Sequence, residues 1–232
     1  MAFGDGSVLA ASSSKVKLFT GFTSTVQSSI APGNQTGGWT VDATPNLYQT
    51  SNLSNSFSYK YSGFTTTVTT SFDNTLTVGR GATWDGTDYY SSASGTEKYA
   101  KYSGFTSTVS DSFAPPAPPS DINGISMVQG DFFAVTLEDK ARQYDGFSSS
   151  VTDSWSVSLS SLTGVTFNGG TGYYIQFVGS WKFTQHNAFT STINDSFAVA
   201  STEGHGTEWD NFTDRDPAAP VIPFIPRAII VM

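Results

Sequence analysis

Few side chains in this sequence are suited to acid–base or nucleophilic chemistry. The chain has 232 residues, no cysteine and two histidines, His186 and His205. Thiol nucleophiles and cysteine-ligated zinc are therefore excluded. Only these two histidines could serve as the base of a serine triad, which makes such a triad improbable on composition. Phosphate-binding loops, dinucleotide fingerprints, nucleophile elbows and His-Glu-x-x-His motifs do not occur. We predict that the protein is not an enzyme and has no catalytic residue, metal site or cofactor.

Aspartates recur at one place, directly before a Ser-aromatic pair, at Asp111, Asp153 and Asp195. A glycosidase needs two carboxylates close together, whereas a repeat places equivalent acids in separate structural units. A short acid beside serine and threonine usually accepts a backbone N–H or caps a turn. We predict that structural role for these aspartates.

The aspartates belong to a phrase that returns five times along the chain. The copies are FTGFTSTVQSSI, YSGFTTTVTTSF, YSGFTSTVSDSF, YDGFSSSVTDSW and HNAFTSTINDSF, and they begin at Phe19, Tyr61, Tyr102, Tyr144 and His186. The phenylalanine at the fourth position of each copy is 42, 41, 42 and 42 residues from the next. His186 falls where the other copies have Phe or Tyr, so we expect it to fill an aromatic position and not to act as a base.

A second phrase, Gly-x-x-aromatic followed by a turn and two apolar residues, precedes the later copies. It occurs as GATWDGTDYY, GISMVQGDFF and GVTFNGGTGYY from Gly81, Gly124 and Gly164, and more loosely around Trp39. Two apolar runs around a Gly/Asp/Asn turn are a hairpin signal. Each repeat therefore contains four strands in about 42 residues, which is the size of a propeller blade.

These repeats predict an all-β fold, a five-bladed β-propeller of four-stranded antiparallel blades. The strand around Gly204 to Asn211 resembles the first strand of a repeat, whereas residues Gly4 to Phe19 supply only the later strands of one. We therefore expect the C-terminal strand to complete the N-terminal blade and to leave no open edge. The predicted domains are a propeller over residues 1–214 and an extended, apolar, Pro-rich tail over residues 215–232.

In repeat length, blade number and closure the chain resembles five-bladed propellers such as the tachylectin-type lectins, and more loosely the NHL-like propellers with a Gly-x-x-Trp-Asp-Gly entry to each blade. As a short, cysteine-free propeller with a bare N-terminus, it is also similar to accessory proteins of phage virions. The first resemblance implies a lectin that binds carbohydrate. The second implies a virion or an extracellular surface as the location.

The aromatic residue of the second phrase has two interpretations. Trp39, Trp84 and Trp209 are suited to stacking on sugars, but a large residue at the same place in every blade more often packs blade against blade. The adjacent turn residues are expected to face solvent and are better polar contacts for a ligand. The candidate ligand-binding residues are Trp84, Asp85, Asn168, Trp209 and Asp210.

Two segments depart from the repeat. The first, Ala114 to Asp121, reads APPAPPSD and is a stiff linker, which is either a simple insertion or a contact site. The second is the tail, which ends in apolar residues that cost free energy when exposed to water. The tail is expected to dock on its own propeller or on a neighbouring subunit, where it can add to a sheet edge. Its candidate docking residues are Val221, Ile222, Phe224, Ile225, Ile229, Ile230 and Val231.

Charge and hydropathy exclude several partners. A net charge of −8 disfavours nucleic acid and anionic membranes. The beginning of the sequence has neither the basic region nor the apolar stretch of a secretory signal, and prolines interrupt the apolar C-terminal segment, so we expect no membrane span. The leading hypothesis is a structural or attachment component of a larger assembly such as a virion, anchored to protein subunits by its tail. The alternative is a soluble multivalent lectin that binds surface glycans.

Overall fold

All regular structure in the described part of the chain is β-strand. The computed structural model describes residues 8–12, 15–32, 36–42, 44, 46–51, 57–116, 122–136, 139–156, 162–167, 171–176, 182–199 and 203–209. No helix long and apolar enough to span a bilayer was found among these residues.

The described strands form five four-stranded antiparallel sheets, which we number along the chain. Sheet 1 contains, from its innermost strand outward, β20 (Glu203–Trp209), β1 (Val8–Ser12), β2 (Val16–Phe19) and β3 (Val26–Ile30). Sheet 2 contains β4 (Thr36–Val41), β5 (Leu47–Ser51), β6 (Phe57–Tyr61) and β7 (Val68–Asp73). Sheet 3 contains β8 (Gly79–Trp84), β9 (Tyr89–Ala93), β10 (Lys98–Tyr102) and β11 (Val109–Phe113). Sheet 4 contains β12 (Ile122–Val128), β13 (Asp131–Thr136), β14 (Lys140–Tyr144) and β15 (Val151–Ser156). Sheet 5 contains β16 (Leu162–Phe167), β17 (Thr171–Gln176), β18 (Lys182–Asn187) and β19 (Ile193–Ala198).

Sheet 1 joins the two ends of the chain, as the repeat predicts. Strand β20 pairs antiparallel with β1, with Val8 opposite Trp209 and Leu9 opposite Glu208. The innermost strands also contact one another in cyclic order: β20 with β4, β4 with β8, β8 with β12, β12 with β16, and β16 with β20. The predicted pairing of the C-terminal strand with the N-terminal sheet is therefore confirmed.

The innermost strands approach so closely that some positions accept only glycine. A Cβ built on Gly38 of β4 would lie 2.1 Å from the backbone nitrogen of Ala82 and 2.3 Å from the carbonyl carbon of Gly81, both in β8. Real Cβ atoms do not approach backbone this closely. The glycine of the second phrase thus permits neighbouring sheets to meet at the centre.

Phenylalanines of the first phrase fill the gaps between successive sheets. The Phe105 ring lies 5.0 Å from that of Tyr48 and 4.9 Å from that of Phe72, both in sheet 2. Across the junction of the last and first sheets, the Phe22 ring lies 4.9 Å from that of Phe197. One residue type in one turn therefore supplies the same packing contact at several junctions, including the junction that joins the chain ends.

Candidate functional site

The turn that contains the candidate ligand residues lies at the same end of the sheet as the Gly-Phe turn. In sheet 3 the first turn joins β8 to β9 and the second joins β10 to β11, and alternating antiparallel strands bring both to one end. The two turns are also bonded, because the N–H of Gly104 donates to Oδ1 of Asp88 over 2.9 Å. We call this end of the sheets the turn face.

Asp85 is used by the turn in which it lies. Its Oδ1 accepts the backbone N–H groups of Thr87 and Asp88 at 2.8 and 2.7 Å, and its Oδ2 accepts the hydroxyl of Tyr90 at 2.5 Å. Asp85 is partly exposed, and its role as a contact for a ligand stays a prediction. The carboxylate is already bonded on both oxygens because it holds the hairpin turn closed.

Asp42 of sheet 2 also holds its own turn closed, and it accepts more hydrogen bonds than Asp85 does. No sequence motif singled it out. Its carboxylate accepts bonds from the backbone N–H groups of Thr44 and Asn46 and from the Tyr48 hydroxyl, the last at 2.6 Å. Burial opposes ionisation, but the bonds from Asn46 and Tyr48 outweigh it and hold the pKa of Asp42 below its usual value. Burial together with the bond to Asp42 raises the pKa of Tyr48. In the sequence both turns share one feature, an acidic residue shortly before a tyrosine: Asp42 precedes Tyr48, and Asp85 precedes Tyr90.

Lysines of the third strands lie over the same tyrosines. Nζ of Lys60 is 5.2 Å from the centre of the Tyr48 ring, and Nζ of Lys101 is 5.6 Å from that of Tyr90. Lys101 also forms an ion pair with Asp88 at 3.0 Å. Burial opposes ionisation of Asp88, but the Gly104 N–H and Lys101 hold the pKa of its carboxyl below the usual value. Asp88 and Lys101 are thus paired with each other.

The described tryptophans of the second phrase pack sheet against sheet. The Trp84 ring of sheet 3 stacks on Tyr48 of sheet 2, with centroids 4.9 Å apart and planes inclined by 6°. Trp39 is 1 % exposed and belongs to a core cluster with Leu9 and Leu18 of sheet 1. The packing interpretation of these two rings is confirmed. Tyr48 covers one face of the Trp84 ring, and Trp39 is buried. Carbohydrate binding therefore stays a prediction.

Most of the remaining candidate residues lie outside the part of the chain that the structure describes. Trp209 is the last residue of β20, and its side chain lies outside the described part. Asn168 and Asp210 lie outside it altogether, as do the docking candidates Val221, Ile222, Phe224, Ile225, Ile229, Ile230 and Val231. Of the proline-rich linker, residues 114–116 are described, and the carbonyl of Pro116 accepts a bond from Nη1 of Arg142 at 3.4 Å. The structure therefore brings together Trp84 and Asp85 and tests none of the others as a site.

The outermost strands carry the aspartates of the first phrase. Oδ1 of Asp111 accepts the backbone N–H of Ser112 at 2.7 Å, and Asp153 and Asp195 make the same bond to Ser154 and Ser196. The predicted acceptance of a backbone N–H is confirmed. The first strand residue of each copy is a branched aliphatic side chain that is exposed: Val26 by 44 %, Val68 by 43 %, Val109 by 43 %, Val151 by 38 % and Ile193 by 42 %.

His186 lies in the interior, in the aromatic position that its place in the repeat predicts. It is 1 % exposed, its Nε2 is 3.0 Å from Oγ1 of Thr184, and its Nδ1 is 3.0 Å from the carbonyl oxygen of Thr190. Burial lowers the pKa of His186 to about 4, although the contact with the Thr190 carbonyl acts in the opposite direction. Because that carbonyl only accepts, Nδ1 carries the proton in the neutral ring and Nε2 accepts from Thr184. Among the described residues there is no group of three or more His, Asp or Glu arranged to hold a metal ion.

The low pKa of His186 makes the stability of the fold pH-dependent in a defined window. Between pH 6.5 and about 4 the unfolded chain binds a proton on this imidazole that the folded chain does not. We therefore expect the contribution of neutral His186 to be fully present above pH 6.5 and to be lost as the pH falls towards 4. Urea unfolding of the wild type and of His186→Tyr, which restores the residue found at Tyr144, measures the difference. Parallel pH profiles of the two proteins would contradict this expectation.

The fold of this chain is similar to those of solved propeller structures. No family model matches the chain, and no curated protein matches it. A chain in the crystal structure of a nidogen/laminin complex is similar with a TM-score of 0.61 and 13 % identity, covering 88 % of this chain and 98 % of that one. The crystal structure of Myxococcus xanthus glutaminyl cyclase is similar with a TM-score of 0.57 and 12 % identity, covering 75 % of this chain and 69 % of that one. At these identities the likeness concerns the fold alone, and the chain has a β-propeller architecture.

Proposed function

We propose that this chain is a five-bladed propeller, with each of the five sheets as one blade, and that it is a non-enzymatic structural or attachment component of a larger assembly such as a phage virion. In this proposal the segment after Asp216 anchors each ring to neighbouring subunits, copies of the same chain among them. The ring presents a repeated perimeter to those neighbours.

The observation that carries the proposal is the set of exposed aliphatic residues on the outermost strands. Val26, Val68, Val109, Val151 and Ile193 occupy one position of the repeat, and each is between 38 and 44 % exposed. A single exposed valine is ordinary on a protein surface, but the same exposed residue at the same position of every outer strand forms a regular perimeter. Such a perimeter suits contact with other subunits.

The side chains of the turn face support a structural role in a second way. Asp42 and Asp85 are bonded within their turns, Lys101 is paired with Asp88, and His186 is buried among packing residues. A catalytic group is usually a titratable side chain in a cleft with its reactive atom open to substrate. These five side chains instead stabilise the fold.

Solution mass tests the anchoring role of the tail. Light scattering should show that the full chain assembles as its concentration rises, and that a version ending at Asp216 is a monomer with the same thermal midpoint. The shared midpoint would show that the tail is not part of the folded ring. Equal masses for both versions at every concentration would count against the proposal.

A further inference from the structure

The outermost strands of the propeller are sheet edges, and they are not alike. Strands β3, β7, β11, β15 and β19 each lie at the end of the strand order of a described sheet. An edge strand points every second backbone N–H and C=O away from its sheet, where another strand can bind them. Whether a given edge accepts a strand depends on what covers those groups.

Three of the five edges are covered by an aspartate. In β11, β15 and β19 the carboxylates of Asp111, Asp153 and Asp195 accept the N–H of the following serine, each at 2.7 Å. These bonds are exposed and lie on the outermost strand. An added strand would have to displace the carboxylate and would meet its negative charge, which are two of the means by which proteins block edges.

The other two edges have no carboxylate at this position. The matching residues are Ser28 in β3 and Thr70 in β7, which belong to neighbouring sheets. Strand β3, with the sequence VQSSI, has no charged residue at all. Both strands begin with an exposed valine, Val26 or Val68. These two edges combine the absence of an aspartate at the capping position with an exposed aliphatic residue.

The end of this chain has the chemistry that such an edge accepts. Residues Arg227–Met232 form a six-residue run without proline or acid, and they include Ile229, Ile230 and Val231. The run is long enough to pair along the five residues of β3 or the six of β7. The β-branched residues of this run favour the strand conformation. The run also carries Arg227 and no acid, so it is attracted to a chain whose net charge is −8.

The spacing of the prolines before this run favours a second copy as the acceptor. Prolines stand at residues 217, 220, 223 and 226, every third position, which favours an extended polyproline II conformation. Ten residues of that conformation span about 31 Å. An outer strand lies three strand spacings, about 14 Å, from the innermost strand of its sheet. A spacer of this length is long enough to carry Arg227–Met232 to an outer strand of another copy.

We propose that Arg227–Met232 of one copy adds as a strand to the uncapped edge β3 or β7 of another copy. This inference rests on the proposed function, because it names the surface to which the anchoring tail binds. It also assigns a purpose to the difference among the outer strands: the aspartates restrict strand addition to two adjacent edges.

The test transfers the carboxylate to the open edges of the full chain. We expect the double variant Ser28→Asp and Thr70→Asp to keep its thermal midpoint and to fall to the monomer mass at concentrations where the wild type assembles. The matched control places the same two charges in strands that are already capped, as Ser110→Asp and Thr152→Asp, and should assemble like the wild type. If the edge variant assembles normally, or if both double variants dissociate equally, the proposal is wrong.

Hydrogen exchange provides a readout that does not depend on the folding of any substituted variant. In the assembled wild type, amides of β3 or of β7 should exchange at least about tenfold more slowly than in the chain ending at Asp216, whereas those of β11, β15 and β19 should not change. Protection elsewhere, or none, would overturn the proposal. If truncation dissociates the assembly but the edge variant does not, the tail anchors at another surface and only this inference fails. If truncation leaves the mass unchanged, the proposed function itself fails.

Discussion

Replacing Gly38 with alanine is expected to destabilise the ring by about 3 kcal/mol or more, because the new methyl group has no room. Its Cβ would lie 2.1 Å from the nitrogen of Ala82 and 2.3 Å from the carbonyl carbon of Gly81. Both atoms are backbone atoms of an innermost strand, so no side chain can rotate away. For a chain of this size the thermal midpoint should fall by roughly 6–12 °C, measured by circular dichroism.

Gly21→Ala is the matched control for that substitution. Gly21 has a φ of +56° and nothing within 4 Å of the added Cβ, so alanine meets backbone strain but no clash. The equivalent turn of sheet 5 has Ala188 with a φ of 51°, which shows that alanine fits this turn. We expect a loss of about 1 kcal/mol. Equal losses for the two variants would show that close approach at the centre is not what requires Gly38.

Removing β20 is expected to abolish the cooperative unfolding transition. A chain ending at Thr202 lacks the strand that pairs with β1 from Val8 to Ser12. Strand β1 would become an exposed edge, and Val8 and Leu9, now 0 and 1 % exposed, would lose their cover. The innermost strands β16 and β4 would also lose the neighbour that lies between them. We expect a protein that aggregates or melts without a sharp midpoint.

The chain ending at Asp216 separates this effect from the loss of the tail. It retains β20 and should melt like the full chain. Thermal unfolding followed by near-ultraviolet circular dichroism compares the two truncations, since that signal reports fixed aromatic packing such as that of Phe19 and Phe183. A chain ending at Thr202 that melts within about 3 °C of the longer one would mean that closure by β20 contributes little to stability.

The repeat was sufficient to predict which residues are equivalent. A spacing of 41 or 42 residues between copies determined the strands of each sheet, the aromatic position of His186 and the place of β20 beside β1. The reason is that strand pairing and the alternation of side chains are local and repeat with the sequence. Trp39 and Trp84 both pack between sheets, but the pairing corrects their expected equivalence: Trp39 lies opposite Gln49 and matches Ala82, whereas Trp84 lies opposite Tyr89 and matches Val41.

What the repeat did not determine was which polar side chains remain available. Asp85 is a candidate ligand residue in the sequence, and only the structure shows that its two oxygens accept hydrogen bonds from Thr87, Asp88 and Tyr90. Asp42, which no motif singled out, accepts five such bonds, two of them from the Thr44 hydroxyl and the Asn46 side-chain amide. These outcomes depend on turn geometry at the scale of one hydrogen bond, which residue types alone do not specify.

The sequence by itself determined a repetitive, cysteine-free β protein with equivalent acids and aromatics in each unit, because the spacing of the phrases is independent of their environment. The tertiary structure alone decided that neighbouring innermost strands meet at Gly38 and that the aspartates of β11, β15 and β19 bind edge amides. It also decided that one valine or isoleucine of every outer strand stays exposed. Burial and edge position are properties of the assembled ring, and a residue acquires them only when its neighbours in space are in place.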